Sequence, residues 1–315
     1  MSTATPPPDP PSPQPSRLRL FLAFFAVYIV WGSSYLGIRF AIEGIPPAFL
    51  SGLRFTVAGL VLLGIFKVGG KNVLPPPRAL PKLIGIGSLL LVGNWGVGWA
   101  EQFVPSGLAA VVFATAPIWI AAMNAVISPA ERLQPRAVVG LFLALGGVTI
   151  LMWPKLSQGT FGGLRGEVAL LVTAIVWSAA SVWAKHAALP MPPFVAAAWQ
   201  MFFGGAVFLA SSVVSGEAAR LYWTGTNVAA FIYLVAFGSC WGYGSFIWLL
   251  RNAPAVRVAA FAYVNPIVAV VLGWLLVGEP LGPFVILGTL AILPGVFLAV
   301  MAQYAAAGAA RAAEP

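Results

Sequence analysis

The chain has 315 residues, of which 60% are hydrophobic and only 8% are charged, and its mean hydropathy is +0.93. A soluble protein of this length needs far more charge to cover its surface, so this composition excludes a soluble globular protein and predicts membrane residence. One cysteine, Cys240, and one histidine, His186, exclude a disulfide framework and a cysteine or histidine metal site within one chain. The net charge of +9 does not predict nucleic-acid binding, because the cations lie in short loops between apolar runs.

The N-terminal segment, residues 1–16, consists mostly of proline and small polar residues. This composition predicts a disordered tail. The apolar run that follows is longer than the apolar region of a signal peptide and has no small-residue cleavage site after it. We therefore expect it to be retained as a first membrane span.

Ten apolar segments follow one another along the chain, each about 20 residues long, which suffices to cross the hydrocarbon core. Glycine and proline interrupt many of them, which a membrane helix tolerates when neighbouring helices satisfy the freed backbone groups. The pattern predicts an all-α polytopic membrane protein with ten spans, at 18–38, 47–66, 81–101, 106–128, 136–152, 164–185, 193–215, 227–250, 256–277 and 283–303.

One segment in each half of the chain shares a pattern of prolines. Residues 105–131 begin with a proline and carry Pro117 at mid-span, and residues 254–280 begin with a proline and carry Pro266 at mid-span. The two segments are about half the chain apart, which indicates an internal duplication. The predicted units are two five-helix repeats joined by a linker, at 17–153, 154–163 and 164–304.

The distribution of cations predicts the orientation of the spans. With the N-terminus in the cytoplasm, twelve of the 17 lysine and arginine residues lie in cytoplasmic segments, and the outer segments hold only Arg39, Lys155, Arg165 and Arg220. This bias predicts that both termini, including a tail at 305–315, are cytoplasmic. Five spans in each half place the second repeat upside down, and inverted repeats are a transporter architecture with a site near midplane between the halves.

Several segments between about residue 20 and residue 303 carry a specific pattern. They are YIVWGSSYLGIRFAIEGIPP, LSGLRF, AEQFVPSGLAAVVFATAP, LLRNAPAVRVAAFAYVNPIVAVVLGWLLVGEP and the glycine-spaced final span. In these segments the chain resembles the EamA-type transporters of the drug/metabolite transporter superfamily, which includes amino-acid exporters. The resemblance implies ten helices in two inverted repeats, a central cavity bounded mainly by spans 1, 3, 4, 6, 8 and 9, and export of small organic solutes.

Polar side chains inside the spans are candidate substrate contacts, because each costs free energy in lipid unless it faces the bundle interior. An aromatic pocket with hydroxyl and amide groups suits a small amphipathic solute. Helix packing by serines and interfacial anchoring by aromatic residues stay open as alternatives. The predicted kinks or hinges are Pro117 and Pro266, and the predicted pocket residues are Trp31, Ser34, Asn94, Trp95, Trp177, Ser181, Tyr243, Tyr263 and Asn265.

Two charges lie at or within spans on the predicted outer side. Arg54 lies about 10 Å into span 2 at 1.5 Å per residue, and Glu101 ends span 3. Buried charges usually pair, so we expect a structural ion pair of Arg54 with Glu101 or Glu43. An outer gate, or a docking point for a substrate carboxylate, is the alternative. Glu131 and Glu279 are expected to cap the starts of the helices that follow them.

These observations favour a secondary transporter that exports small organic metabolites by alternating access, amino acids foremost and neutral or aromatic ones among them. A multidrug or toxic-solute exporter of the same fold and a polytopic membrane enzyme stay open as alternatives. Such an enzyme usually needs histidine, paired acids or a metal. This chain has one histidine and no acid pair inside a span, and the lack of a midplane carboxylate predicts facilitated transport.

The expected setting follows from composition. Much alanine, glycine and arginine with little lysine indicates GC-rich bacterial coding and hence a multi-pass protein of the inner membrane. We expect a small-molecule substrate and the lipid bilayer as partners, a monomer as the working unit, and no nucleic acid, cofactor or metal.

Overall fold

The computed structural model describes residues 16–127, 134–159 and 161–312. Within these ranges the regular structure is helical and contains no strand. The predicted N-terminal tail, apart from Ser16, and the capping role predicted for Glu131 lie outside the described residues. Ser16 itself accepts a hydrogen bond from the Arg19 backbone N–H at 3.3 Å and so caps the first helix.

Ten helices in the described ranges are long and apolar enough to cross a membrane, which confirms the ten predicted spans to within a few residues. The last of them continues past the predicted end of its span to Ala312. We number them α1 Arg17–Ala41, α2 Pro47–Val68, α3 Pro77–Ala100, α4 Ser106–Ile127, α5 Pro135–Ser157, α6 Arg165–His186, α7 Pro193–Val214, α8 Gly225–Leu250, α9 Arg257–Val277 and α10 Pro283–Ala302.

Proline and glycine mark many of the helix ends. Pro47 and Pro193 occupy the first turns of α2 and α7, where proline's fixed φ suits the helix and its missing N–H leaves no bond unmade. Gly278 ends α9 with a φ of 67°, a left-handed conformation that favours glycine. The connections are short, so consecutive spans alternate in direction across the membrane.

The two repeats meet along α2 and α7, which are equivalent helices. A Cβ atom built on Gly59 of α2 would lie 2.8 Å from the Ala198 carbonyl oxygen, and one built on Gly205 of α7 would lie 2.9 Å from the Gly52 carbonyl oxygen. Gly205 follows Gly59, and Ala198 follows Gly52, by the same 146 residues. The two close approaches are therefore related by a two-fold exchange of the repeats.

A second two-fold contact joins α5 and α10, and it shows their opposite directions. A Cβ atom on Gly147 would lie 2.7 Å from the Gly288 carbonyl oxygen, and one on Gly288 would lie 2.9 Å from the Gly147 carbonyl oxygen. Gly295 similarly approaches the Gly140 carbonyl oxygen, 2.6 Å from its built Cβ. The later glycine on one helix meets the earlier glycine on the other, so the helices are antiparallel. Small residues allow this close packing in a membrane.

The remaining helix contacts follow the same exchange. The α1–α8 contact corresponds to α6–α3, the α2–α8 contact to α7–α3, and the α1–α9 contact to α6–α4. Each repeat has five spans, so equivalent helices cross the membrane in opposite directions. The architecture is thus two inverted five-helix repeats, as the sequence predicts.

The two ends of the molecule break this symmetry. We call the end that carries Arg17 and Ala302 the terminal side and the opposite end the distal side. The distal half of α1, Trp31–Ala41, packs against α3 and against the distal half of α4, Ser106–Phe113. In the described part of the chain, α6 has no comparable packing against α8 and α9 on the terminal side. The distal side is therefore the closed one, with Ile45 fully buried there.

Candidate functional site

Trp177 of α6 lies at the interface between the two repeats. It packs over Gly93 of α3, where a built Cβ atom would lie only 2.5 Å from the indole Cδ1. Its ring meets Phe113 of α4 nearly edge-on, with the ring centroids 5.8 Å apart. The indole is half-buried, and its N–H has no hydrogen-bond partner among the described residues. This N–H is available to a ligand between the repeats.

Trp31 of α1 occupies the equivalent position in the first repeat. It packs over Gly242 of α8, with 2.7 Å from a built Cβ atom to the indole Cδ1, and its ring meets Phe261 edge-on at 5.4 Å. Unlike Trp177, it donates its indole N–H to the Gly238 carbonyl oxygen at 2.9 Å. That carbonyl lies in the π-helical segment Leu234–Trp241 of α8, where the Gly242 N–H bonds to the carbonyl oxygens of residues 237 and 239.

The same π-helical turn meets a buried arginine. We define the Arg54 cluster as Ser34, Arg54, Gly238 and Ser239. Arg54 is 6% exposed and donates from Nε to the Ser239 Oγ at 2.9 Å. A Cβ atom on Gly238 would lie 3.0 Å from the Ser34 Oγ and 3.1 Å from the Arg54 Nη2, so a larger residue there would crowd both side chains. The cluster joins α1, α2 and α8.

The expected ion pair of Arg54 with Glu101 or Glu43 is not formed, because Arg54 points toward α8. Glu101 is fully buried, and neither carboxylate oxygen has a hydrogen-bond partner in the described structure. Arg39 donates to the Glu101 backbone carbonyl at 2.6 Å, and Glu43 is exposed. Burial, with Glu279 nearby, raises the pKa of Glu101, which follows the last residue of α3, well above its usual range.

Asn265 lies beside α1 rather than in an open pocket. With its amide nitrogen turned toward α1, it donates to the carbonyl oxygens of Val27 and Tyr28 at 3.0 and 2.9 Å. Both belong to Ala26–Val30, where α1 is π-helical. Asn265 thus satisfies the backbone of the opposite repeat, an arrangement that leaves it no free donor for a substrate.

Tyr263 lies in an apolar groove of about 350 Å³ whose other lining residues all belong to α9 and α10. Its ring meets Phe297 at a centroid distance of 5.7 Å. Tyr263 therefore lies between α9 and α10 and packs against α10.

The remaining predicted pocket residues differ in what they contact. Trp95 packs against Phe208 of α7 at 6.0 Å, and Tyr243 packs against an apolar cluster of α2 and α7. Ser181 donates to the Trp177 carbonyl of its own helix at 2.8 Å, a helix-internal bond. Asn94 is half-buried and makes no hydrogen bond within the described ranges. The structure brings Trp31 and Ser34 together with Arg54, and it places Asn94 one residue from the glycine under Trp177.

The two mid-span prolines accompany interruptions of their helices. The chain leaves the helix at 114–115, just before Pro117, and α9 is interrupted at Ala260, ahead of Pro266. Proline removes the hydrogen bond to the residue four positions back, which weakens that turn.

Glu279 caps a helix of the other repeat. Its two carboxylate oxygens accept hydrogen bonds from the backbone N–H groups of Ser106 and Gly107, at 2.7 and 3.0 Å. The expectation that it caps the helix following it is therefore wrong. It stabilises the start of α4, where the helix dipole favours a negative charge.

Sequence reasoning assigned no site role to Gly238 or Ser239. The single signal was the run GSCWGYG within span 8, whose small residues permit close packing but do not predict a π-helical turn. Tyr233, whose hydroxyl lies 2.6 Å from the Ser33 Oγ, was missed as well.

Ten membrane-spanning helices in two inverted repeats, with polar and aromatic groups between the repeats, define a membrane transporter. Inverted repeats of this kind are a transporter architecture. The chain belongs to the EamA-like transporter family, whose sequence profile matches residues 18–153 and 164–301. The family match thus occurs twice, once in each half.

Related proteins agree with this assignment. The chain is 37% identical over 290 residues to the uncharacterized inner membrane transporter YedA of Escherichia coli K12, covering 91% of this chain and 92% of that protein. It is 26% identical to a probable amino-acid metabolite efflux pump of Salmonella typhimurium, covering 90% and 95%. A solved crystal structure, 20% identical, matches with a TM-score of 0.64 and covers 91% and 98%, which shows the shared fold alone.

Proposed function

We propose that this transporter exports small organic metabolites, amino acids foremost, by alternating access through a pocket between the two repeats. One observation carries the proposal: α1 closes against α3 and α4 on the distal side, whereas α6 lacks the equivalent packing against α8 and α9 on the terminal side. Because the repeats are related by a two-fold exchange, swapping their conformations opens the distal side and closes the terminal one. Alternating access requires this pair of states.

The pocket of this proposal is formed by residues that keep free polar groups or open ring faces at the repeat interface. Trp31 and Trp177 supply the aromatic surface, and Asn94 supplies an amide without a partner in the described structure. Ser34, in the Arg54 cluster, keeps only acceptor capacity, because its hydroxyl donates to the Val30 carbonyl oxygen at 2.8 Å. The other predicted members support the surrounding helices: Trp95, Ser181, Tyr243, Tyr263 and Asn265.

The names of two relatives support the proposed substrate class and the proposed membrane. The protein of Salmonella typhimurium is named a probable amino-acid metabolite efflux pump, and YedA is named an inner membrane transporter. We propose the bacterial inner membrane here too, with both termini cytoplasmic. The terminal side, which lacks the closing contacts, then faces the cytoplasm, where an exporter loads its substrate.

The test is transport by the purified protein in liposomes. Radiolabelled neutral and aromatic amino acids are loaded on one side, and their counterflow is compared with that in protein-free liposomes and with a Trp177→Ala variant. We expect saturable counterflow of at least one amino acid, and a clear reduction in the variant at unchanged protein yield. Transport of lipophilic cations without any amino-acid counterflow would instead favour the multidrug exporter.

A further inference from the structure

Arg54 is a cation within the membrane-spanning part of the bundle, and no carboxylate of the described residues pairs with it. It follows Pro47, the first residue of α2, by seven residues, or about 10 Å along the helix. Its side chain is 6% exposed, and its one hydrogen bond to a side chain is the bond from Nε to the Ser239 Oγ. The Phe55 ring lies 4.8 Å away, and in the described chain no acidic group lies within ion-pair distance. Such a charge is costly inside a membrane unless an anion or water meets it.

The outer part of the guanidinium is open to a ligand. Neither Nη1 nor Nη2 makes a hydrogen bond in the described structure, and neither belongs to the fully enclosed polar atoms that lack a partner. Both therefore keep some accessible surface, although the side chain as a whole is buried, and Nη2 lies beside Gly238. The Ser239 hydroxyl accepts from Arg54, and its own hydrogen is not used in any described bond. Two guanidinium nitrogens and one hydroxyl are thus free to donate.

The second repeat has no positive charge at the position equivalent to Arg54. The residue equivalent to Arg54 in α7, 146 positions later, is Gln200, which is buried and uncharged. A solute between the repeats therefore meets a positive charge on the distal side and an amide at the equivalent position on the terminal side. A ligand with one anionic end is held in a single orientation by this difference.

We propose that Arg54 and Ser239 form the subsite for the carboxylate of the transported solute. The planar guanidinium presents parallel N–H donors that match the two oxygens of a carboxylate, and this charge-assisted pairing is stronger than a neutral hydrogen bond. Gly238 keeps the space beside Nη2 free. The subsite rests on the proposed export function, and it selects solutes with a carboxylate over amides and over organic cations.

The experiment compares acids with their uncharged amides on the purified protein in nanodiscs. The probes are acetate, benzoate and phenylacetate against acetamide, benzamide and phenylacetamide, at constant ionic strength, and the readout is the thermal midpoint from tryptophan fluorescence. We expect at least one acid to raise the midpoint by about 2–4 °C near tenfold its Kd, and its amide to leave it unchanged. Benzylphosphonate, the matched phosphonate arm, is expected to bind less well than phenylacetate.

Variants assign the effect to the subsite. Arg54→Gln is expected to abolish the response to the acid, whereas Arg39→Gln, which changes another distal arginine, retains it. Gly238→Ala places a Cβ atom against Nη2 and is expected to weaken the response to the acid. If Arg54→Gln does not fold, the response of Gly238→Ala is the test of the subsite. Equal responses to acid and amide, no response to any acid, or a full response in Arg54→Gln and Gly238→Ala would overturn the subsite. Since no probe is an amino acid, this outcome is independent of whether amino acids are transported.

Discussion

Single glycines decide where the two interface tryptophans lie. Gly93 and Gly242 leave room for Trp177 and Trp31 at positions where any larger residue would overlap the ring. Each tryptophan is therefore held by a glycine of the other repeat, so the position of its ring depends on how the two helices pack. Steric complementarity of this kind is sensitive to one methyl group.

The first prediction concerns Gly242. Gly242→Ala places a methyl group against the Trp31 indole, and overpacking of this type costs about 1–3 kcal/mol. We expect the thermal midpoint in nanodiscs to fall by several degrees and transport to decrease. The control is Gly244→Ala, two residues along the same helix, where a built Cβ atom meets nothing within 4 Å. Equal midpoints for the two variants would contradict the packing described for Trp31.

At the scale of the helices, side chains of the second repeat supply hydrogen-bond partners to backbone groups of the first. Glu279 of the second repeat caps α4 of the first, and Asn265 bonds to the π-helical turn of α1. The helix termini and the interrupted turns thus obtain partners across the interface, as buried backbone groups in a membrane require. The two repeats are therefore expected to fold as one unit.

The second prediction tests the cap on α4. Glu279→Ala removes both acceptors from the first backbone N–H groups of that helix, and losing a cap costs about 0.5–2 kcal/mol. We expect a lower thermal midpoint than in the wild type. Glu43→Ala removes an exposed carboxylate from the same side and should leave the midpoint unchanged. A wild-type midpoint in Glu279→Ala would show that other groups satisfy the α4 terminus.

Which elements the sequence predicts, and which it does not, follows from the range of the forces involved. The ten spans are predictable because apolar length alone matches the hydrocarbon core, and the repeat is predictable from the spacing of Pro117 and Pro266. The partner of Arg54 is not predictable, because a π-helical turn in α8 redirects it to Ser239. Asn265 likewise meets carbonyls of α1 that only the fold brings near it.

At the scale of the whole molecule, a two-fold architecture carries two different ends. Close approaches such as Gly59 to Ala198 and Gly205 to Gly52 obey the exchange, yet among the described residues α6 and α9 have no packing comparable to the distal contact of α1 with α4. Because the repeats are related by a two-fold exchange, the molecule can close the distal side and leave the terminal side open, or do the reverse. The alternating access proposed above uses these two states.

The third prediction concerns orientation. The bias of the cations predicts that both termini are cytoplasmic. A reporter that is active only in the periplasm should be silent when fused after Gln303 and active when inserted in the α5–α6 connection, between Gly159 and Arg165. The reverse activities would place the terminal side in the periplasm, and the substrate would then load from the periplasm in the conformation described here.

The most direct test of alternating access measures both ends of the same molecule. Spin labels are placed on a Cys240→Ala background, one pair at Glu43 and Gln102 on the distal side and another at Ala188 and Asn252 on the terminal side, and double electron–electron resonance gives the distances. We expect two populations, in which a longer distal distance accompanies a shorter terminal one, with the balance shifted by transported solute. Distances that stay single and unchanged at both ends, or that lengthen at both ends together, would contradict the account.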